Sequence, residues 1–218
     1  SAESSPLSLF DKVRCYWNAT CRQLSSYGRS KNVIGYMGTF THDDDLLMVL
    51  PALRELVHRY GEAIEIQLLG VAAHRETKQH FEGLPVRIIN LRPASMEYPR
   101  FMSWFTRRMN WDVAIAPLCD NVFNRCKSDI KFLDYSAVEV PGVYSHVPAY
   151  IPSVRHLNNG WLAENTTEAW LEAFEALLFN EELKKSLRHN AARYLYTERT
   201  VSKGAHYWLT ALDQCLGI

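Results

Sequence analysis

The sequence predicts an α/β protein with a Rossmann-like parallel sheet of about six strands and helices on both faces. Short apolar runs alternate with longer segments of helical periodicity along most of the chain. The runs are apolar at consecutive positions, as in strands that are buried on both faces, and such alternation is typical of parallel βαβ units. The chain has 218 residues, of which 47% are hydrophobic and 22% charged, which is enough to bury one large core.

The predicted strands and helices follow one another in a regular order. Strands are predicted at residues 33–37, 65–70, 86–90, 113–118, 142–145 and 160–163. Helices are predicted at residues 46–60, 98–109, 128–137, 167–179, 181–196 and 201–215. Pro51 lies inside the first helical pattern and should either kink that helix or mark its first turn. Residues 1–30 are predicted to be a helical segment or linker, followed by one domain over residues 31–218.

Composition and charge exclude several classes of protein. The formal net charge is zero and no basic block occurs, which argues against a nucleic-acid partner. No run of about 18 apolar residues is present, so we predict no transmembrane segment. The five cysteines are widely spread and match no zinc spacing, which favours free thiols in a reducing compartment. We therefore expect a cytoplasmic protein.

The segment 123–137 is the most informative part of the sequence. Ser128 is a suitable N-cap for the helix that follows it. Ile130, Leu133 and Ala137 share one stripe of that helix, and we expect this stripe to face the core.

Two lysines and a carboxylate accompany the start of this helix. Lys127, Lys131 and Asp134 fall together on the flank of the apolar stripe. A helix N-terminus favours anions through its free N–H groups and its dipole, so the arrangement suits a phosphate or diphosphate. The alternative is a solvated helix start on which a lysine and the aspartate pair at i, i+3.

Other polar segments fall where the predicted strands end. Four segments fall at the carboxyl ends of the predicted strands, namely Gly38-Thr39, Leu91-Arg92, Ser145-His146 and the segment 118–124, which ends in Asn124. Ligands of open parallel sheets bind at the carboxyl ends of the strands. This convergence favours a binding site over a solvated helix start.

Three further patterns are weaker. The run 43–45 of three aspartates resembles a metal-binding motif, but it begins a helix, where acidic residues suit the dipole. The glycines at 35 and 38 lack the spacing of a dinucleotide fingerprint. His42 and His146 are loop histidines that can serve as a general base or phosphate donor, although most such histidines are surface residues. We therefore predict no metal site.

With these residues placed, the chain resembles the C-terminal, donor-binding domain of a GT-B glycosyltransferase of the group 1, family 4-like class. The resemblance runs from about Val33 to about Leu212. It rests on short segments in a specific order and spacing, which are 34–39, 111–118, 123–124, 127–128, 131–137, 143–150 and 159–162.

The resemblance implies a nucleotide-sugar site. Asp134 would bind the ribose, and Lys127 and Lys131 would neutralise the diphosphate and act as the catalytic groups. Gly38-Thr39 would approach the diphosphate and Leu91-Arg92 would line the base. Asn124 and His146 complete the predicted set, and the resemblance implies neither a metal nor another cofactor.

The sequence departs from the family pattern at several positions. Asp134 replaces the usual glutamate, and Cys126 stands where the E-x7-E motif has its other glutamate. Thr39 and the acidic run 43–45 replace the arginine and lysine that often follow the first strand. Lys127 and Lys131 are therefore expected to carry more of the diphosphate charge, and nucleotide contacts are better supported than sugar contacts.

The activity implied is transfer of a sugar from a nucleoside-diphosphate donor to an acceptor hydroxyl. A GT-B enzyme has two such domains, so we expect an N-terminal acceptor domain to be missing here and to be the partner of this one. That absent half would also carry any peripheral membrane association. The alternatives are a nucleotide-sugar epimerase of the same fold and a non-catalytic binding module derived from it.

Overall fold

The structure is a computed structural model that describes residues 31–38, 43–70, 79–91 and 97–217. The predicted N-terminal segment 1–30 lies outside these ranges. Thr39, His42 and Arg92, which the sequence singles out, also lie outside them.

Six parallel strands form one sheet, which confirms the predicted fold class. The strands are β1 (Asn32–Met37), β2 (Ile64–Leu69), β3 (Val86–Ile89), β4 (Val113–Ala116), β5 (Gly142–Ser145) and β6 (Trp161–Ala163). Their order is β3-β2-β1-β4-β5-β6, so the chain reverses its direction of progress across the sheet between β1 and β4. A switch point of this kind opens a crevice at the carboxyl ends of the two central strands.

Seven helices connect and cover the strands in the described residues. They are α1 (Asp43–Tyr60), α2 (Tyr98–Arg108), α3 (Val122–Arg125), α4 (Ile130–Ala137), α5 (Thr167–Phe179), α6 (Glu181–Glu198) and α7 (Val201–Leu216). Since α1 begins at Asp43, Pro51 does not mark its first turn. Within the described ranges, none of these helices combines the length and the hydrophobicity that crossing a bilayer requires.

The sheet is buried on both faces. Alternate residues of β1 point to opposite sides, so Ile34 and Tyr36 pack with α1 and α5. Val33 and Met37 join the opposite cluster, which includes side chains of α2, α4 and α6. Consecutive apolar residues in the strands are explained by this double covering.

The predicted orientation of α4 is wrong. Ile130 is 44% exposed, whereas Phe132 and Tyr135 are fully buried. The two aromatic rings bury more apolar area than the aliphatic stripe would, and they meet Tyr144 and Trp111 edge-on at centroid distances of 5.6 Å and 6.1 Å.

This orientation changes the place of the charged residues. Lys131 and Asp134 lie on the buried side of α4, at 8% and 4% exposure, and not on a solvated flank. The N-cap position is Asp129 and not Ser128. The alternative of a solvated helix start is therefore excluded.

A tryptophan packs directly against the backbone of the central strand. Trp111 is 4% exposed, and its indole N–H donates to Gln67 Oε1 at 3.0 Å. A Cβ added to Gly35 would lie 1.7 Å from the indole ring, which real structures do not allow. Gly35 is therefore required for the close approach of Trp111.

We predict that Gly35→Ala lowers the free energy of unfolding by about 3 kcal/mol, because the indole has to leave its place. Urea unfolding followed by circular dichroism measures the change. Gly204→Ala on the exposed helix α7 is the matched control, since nothing lies within 4 Å of the added Cβ. The control should be neutral or stabilising by up to about 1 kcal/mol. Equal stability of the two variants would contradict the close packing.

Candidate functional site

The crevice between β1 and β4 opens where their hydrogen-bonded register ends. The last pair in the register is Tyr36 and Ile115. Beyond it the Tyr135 hydroxyl of α4 donates to the Ile115 carbonyl at 2.9 Å and accepts from Met37 N–H at 3.4 Å. Burial raises the pKa of Tyr135, so the hydroxyl keeps its proton and can make both bonds. Tyr135 thus fixes α4 directly beneath the crevice.

A buried carboxylate joins the start of α1 to the loop after β4. Asp45 is 3% exposed, and its Oδ1 accepts from Cys119 N–H and from Asn124 Nδ2, both at 2.7 Å. Its Oδ2 lies 3.7 Å from Lys127 Nζ. Asp45 therefore holds one of the predicted lysines at the mouth of the crevice.

Further side chains fix the same loop. Ser145 Oγ accepts from Leu118 N–H at 2.8 Å, and Asn165 Nδ2 donates to the Leu118 carbonyl at 2.9 Å. Asn124 Nδ2 also donates to the Cys119 carbonyl at 2.9 Å. Side chains from the last residue of β5, from the segment after β6, and from α1 and α3 thus converge on one short loop, which leaves its backbone little freedom.

Lys131 is a buried lysine on α4, beside the end of β1 at the crevice. Its Nζ lies 3.4 Å from the Tyr36 hydroxyl and 4.6 Å from the centre of the Tyr36 ring. Burial lowers the pKa of Lys131 to about 7, the negative charge of Asp45 raises it, and the charge of Lys127 lowers it further. A bound anion would favour the charged form of this lysine.

Lys127 lies closer to solvent than Lys131. Its side chain is 19% exposed, and its Nζ lies 4.8 Å from the centre of the Phe123 ring, which is itself 68% exposed. A pocket of about 390 Å³ opens beside it. The pocket is lined by Asp44, Asp45, Asn121, Val122, Phe123 and Asn124.

Asp134 lies one turn further along α4. It is 4% exposed, and the hydroxyl of Tyr98, the first residue of α2, donates to its Oδ1 at 2.6 Å. Burial raises the pKa of Asp134, and the hydrogen bond from Tyr98 opposes that shift. One oxygen of the Asp134 carboxylate, Oδ1, thus already accepts a hydrogen bond within the protein.

The N-terminus of α4 is anchored from behind. Arg199 binds both oxygens of Asp129, at 3.0 Å between Nη2 and Oδ1 and through Nη1 to Oδ2, and Ser153 donates to Oδ2 as well. Burial raises the pKa of Asp129, but the bonds from Arg199 and Ser153 outweigh it and lower the pKa overall. This bidentate pair fixes the first turn of α4, and with it Lys131.

The structure brings some of the predicted site residues together. Asn124 and Lys127 both contact Asp45 at the switch point. Lys131 and Gly38 both lie beside the Tyr36 hydroxyl, and Asp134 is on the next turn of α4. Gly38 is constrained by its own strand, since a Cβ there would lie 2.3 Å from the Tyr36 hydroxyl. That contact gives the glycine a packing reason beside the predicted approach of a diphosphate.

Two predicted residues lie further out. Leu91 is half-buried after β3 and packs against the cluster beneath α2 and α4. His146 follows β5, is exposed, and pairs through Nδ1 with Glu164. Thr39 and Arg92 are outside the described residues, so the ligand contacts of all four remain predictions.

Three residues of the site were not predicted from the sequence, namely Asp45, Tyr98 and Tyr36. The sequence predicts only a helix-dipole role for Asp45, because its burial depends on contacts with a loop far along the chain.

In the described part of the chain, no group of three or more His, Cys, Asp or Glu side chains is placed to hold a metal. Burial raises the pKa of the Cys119 thiol to about 11, so it stays protonated.

Comparison with known proteins identifies the fold. No protein-family model and no curated protein sequence matches the chain. The C-terminal domain of a glycosyl transferase group 1 family protein, LpcC of Francisella tularensis, matches with a TM-score of 0.61 at 14% identity, over 83% of this chain and 92% of that one. Anabaena HepE in complex with UDP matches with a TM-score of 0.66 at 13% identity, over 90% of this chain and 52% of that one.

Staphylococcus aureus TarM, in a complex that includes UDP, matches with a TM-score of 0.65 at 11% identity, over 84% of this chain. The chain spans 35% of the length of TarM and 52% of the length of HepE. The fold is therefore that of the C-terminal domain of GT-B glycosyltransferases, as the sequence resemblance implied.

We predict that Asp45→Ala lowers the free energy of unfolding by about 3 kcal/mol, because it leaves two buried N–H donors without their acceptor. Thermal unfolding in a calorimeter measures the change. Asp44→Ala is the control, since Asp44 precedes it in the same helix turn and is exposed. The control should lose no more than about 1 kcal/mol of helix-dipole stabilisation. A loss at Asp45 no larger than that at Asp44 would rule out the structural role of the buried carboxylate.

Proposed function

We propose that this chain is the nucleotide-sugar-binding domain of a glycosyltransferase. The whole enzyme transfers a sugar from a nucleoside-diphosphate donor to an acceptor hydroxyl. The observation that carries the proposal is the position of Lys127, just before α4, and of Lys131, in its first turn, at the switch point of a sheet with the glycosyltransferase fold. Two of the similar proteins, HepE and TarM, are in complexes with UDP, which makes UDP the first ligand to test here.

The two lysines bind the diphosphate. A diphosphate brings negative charge, and the crevice offers two cations together with the N-terminal N–H groups of α4. Lys131 is buried, so its charge acts through a medium of low dielectric and is screened little by salt. Both lysines stabilise the charge that develops on the leaving nucleoside diphosphate when the bond to the sugar breaks.

The other predicted residues hold the rest of the donor. Asp134 accepts a hydrogen bond from the ribose, while Leu91 and Arg92 line the base. Thr39 and His146 contact the phosphates or the sugar. No step of this scheme uses a metal ion.

Transfer needs a second domain. The acceptor-binding half of a GT-B enzyme closes over the donor, and the chain described here supplies the donor half. We propose that such a domain is its partner, that it carries any contact with a membrane surface, and that the enzyme works in the cytoplasm.

One observation favours a second candidate, a binding module without catalysis. Cys126 is exposed, and it stands where the family resemblance implies the first glutamate of the E-x7-E motif. A thiol cannot accept the sugar hydroxyls as a carboxylate does. Donor hydrolysis or transfer by the full-length protein separates the two candidates, and its absence with every donor tried would favour the binding module.

We predict that Lys127→Ala and Lys131→Ala each weaken nucleotide binding about tenfold or more, because each removes a charge-assisted contact to the diphosphate. Isothermal titration calorimetry with UDP and with GDP measures the dissociation constants. Lys185→Ala is the matched control, since Lys185 is exposed on α6. Failure of the wild type to bind either nucleotide would refute the proposed function. Binding that survives both substitutions would move the diphosphate site elsewhere.

We also predict that affinity for the nucleotide sugar falls as pH rises above about 7. Burial lowers the pKa of Lys131 to about 7, so below that pH the lysine is charged and above it the free protein must take up a proton to bind. The affinity should decrease about tenfold between about pH 6 and pH 8.

UDP-glucose is the ligand for this measurement, because its phosphates carry no group that titrates near neutral pH, unlike the terminal phosphate of UDP. Lys131→Arg should flatten the pH profile, since a guanidinium stays charged throughout. A slope that persists in Lys131→Arg would assign the titration to another group.

A further inference from the structure

We propose that Tyr98 determines which sugar of the nucleoside the site accepts. It bonds to one oxygen of Asp134 and covers that side of the carboxylate, so that the carboxylate binds only one of the two ribose hydroxyls. The site then takes nucleoside-diphosphate donors that lack the other hydroxyl, either the 2′ or the 3′ hydroxyl, as well as ribonucleotides. The inference rests on the proposed function and names a property of the same site.

The contact between Tyr98 and Asp134 is close and directional. The phenol hydroxyl donates to Oδ1 at 2.6 Å, within the range of charge-assisted O–H···O bonds. Among the described residues, Tyr98 supplies the hydrogen bond that the structure shows to this carboxylate. The second oxygen, Oδ2, is therefore the one that remains for a ligand.

The exposure of the two side chains shows from which side a ligand can arrive. Asp134 is 4% exposed, whereas Tyr98 is 53% exposed at the start of α2. The tyrosine thus covers the carboxylate from the solvent side, with its ring at the surface. Little of Asp134 can be reached, and we therefore place a single ligand donor on Oδ2, beside the phenol.

The chemistry of the ribose makes this coverage selective. A carboxylate with both oxygens open can bind the two neighbouring ribose hydroxyls together, one on each oxygen. Aspartate is also one methylene shorter than the glutamate that the family resemblance implies at this position, and its carboxylate therefore reaches less far from α4. With Oδ1 held by Tyr98, loss of one ribose hydroxyl removes no bond, while loss of the other removes one.

The test compares UDP with its 2′-deoxy and 3′-deoxy analogues by calorimetry on the whole chain. For the wild type we expect one analogue to bind within about twofold of UDP and the other to bind about tenfold more weakly. In Tyr98→Phe, Oδ1 becomes open and both analogues should bind about tenfold more weakly than UDP. Tyr60→Phe is the matched control, since its hydroxyl bonds to Glu175 away from the crevice and its pattern should equal that of the wild type.

The ratio between analogue and UDP is the decisive measurement, because general damage to the fold weakens all three ligands alike and cancels. Equal losses for both analogues in the wild type would overturn the inference, as would an unchanged pattern in Tyr98→Phe. A folded wild type that binds none of the three nucleotides would instead refute the proposed function itself.

Discussion

The carboxylate of Asp45 is the constraint on which the candidate site depends. Burying a charge is costly unless it is hydrogen-bonded and paired, and Asp45 meets both conditions through Cys119 N–H, Asn124 and Lys127. These partners belong to α3 and the loops on either side of it, so one carboxylate fixes how the first βα unit and the β4–α4 connection face each other. The crevice keeps its shape because the polar groups at its mouth already bond to each other.

The orientation of α4 shows how packing sets the chemistry. Phe132 and Tyr135 turn the helix so that their rings enter the core, and Lys131 is carried inward with them. The buried amine of Lys131 loses its hydration, and the ring and hydroxyl of Tyr36 compensate only part of that loss. The cost of a buried cation is what makes an incoming anion favourable, so the same packing that stabilises the sheet prepares the site for negative charge.

The sequence was sufficient for the architecture, and several residues that it singled out lie together at the switch point. Strand and helix positions followed from hydrophobic periodicity, since strands such as β4 are apolar at every position. The orientation of α4 did not follow, because counting aliphatic residues gave Ile130 more weight than the larger rings beside it. Asp45 and Tyr98 were missed because their partners, Cys119 and Asp134, lie 74 and 36 residues away, and no local pattern records such contacts.

The hydroxyl of Tyr135 has a consequence for how the domain folds. Its bond with Met37 N–H joins residues that are 98 positions apart, and it sits where β1 and β4 separate. The crevice is therefore incomplete until α4 has packed beneath it. A chain in which only the first βα units have folded lacks the candidate site. Contacts of this range close large loops and cost more entropy than local contacts, so the crevice depends on the docking of α4. A folding intermediate that is trapped before this step would therefore lack the crevice.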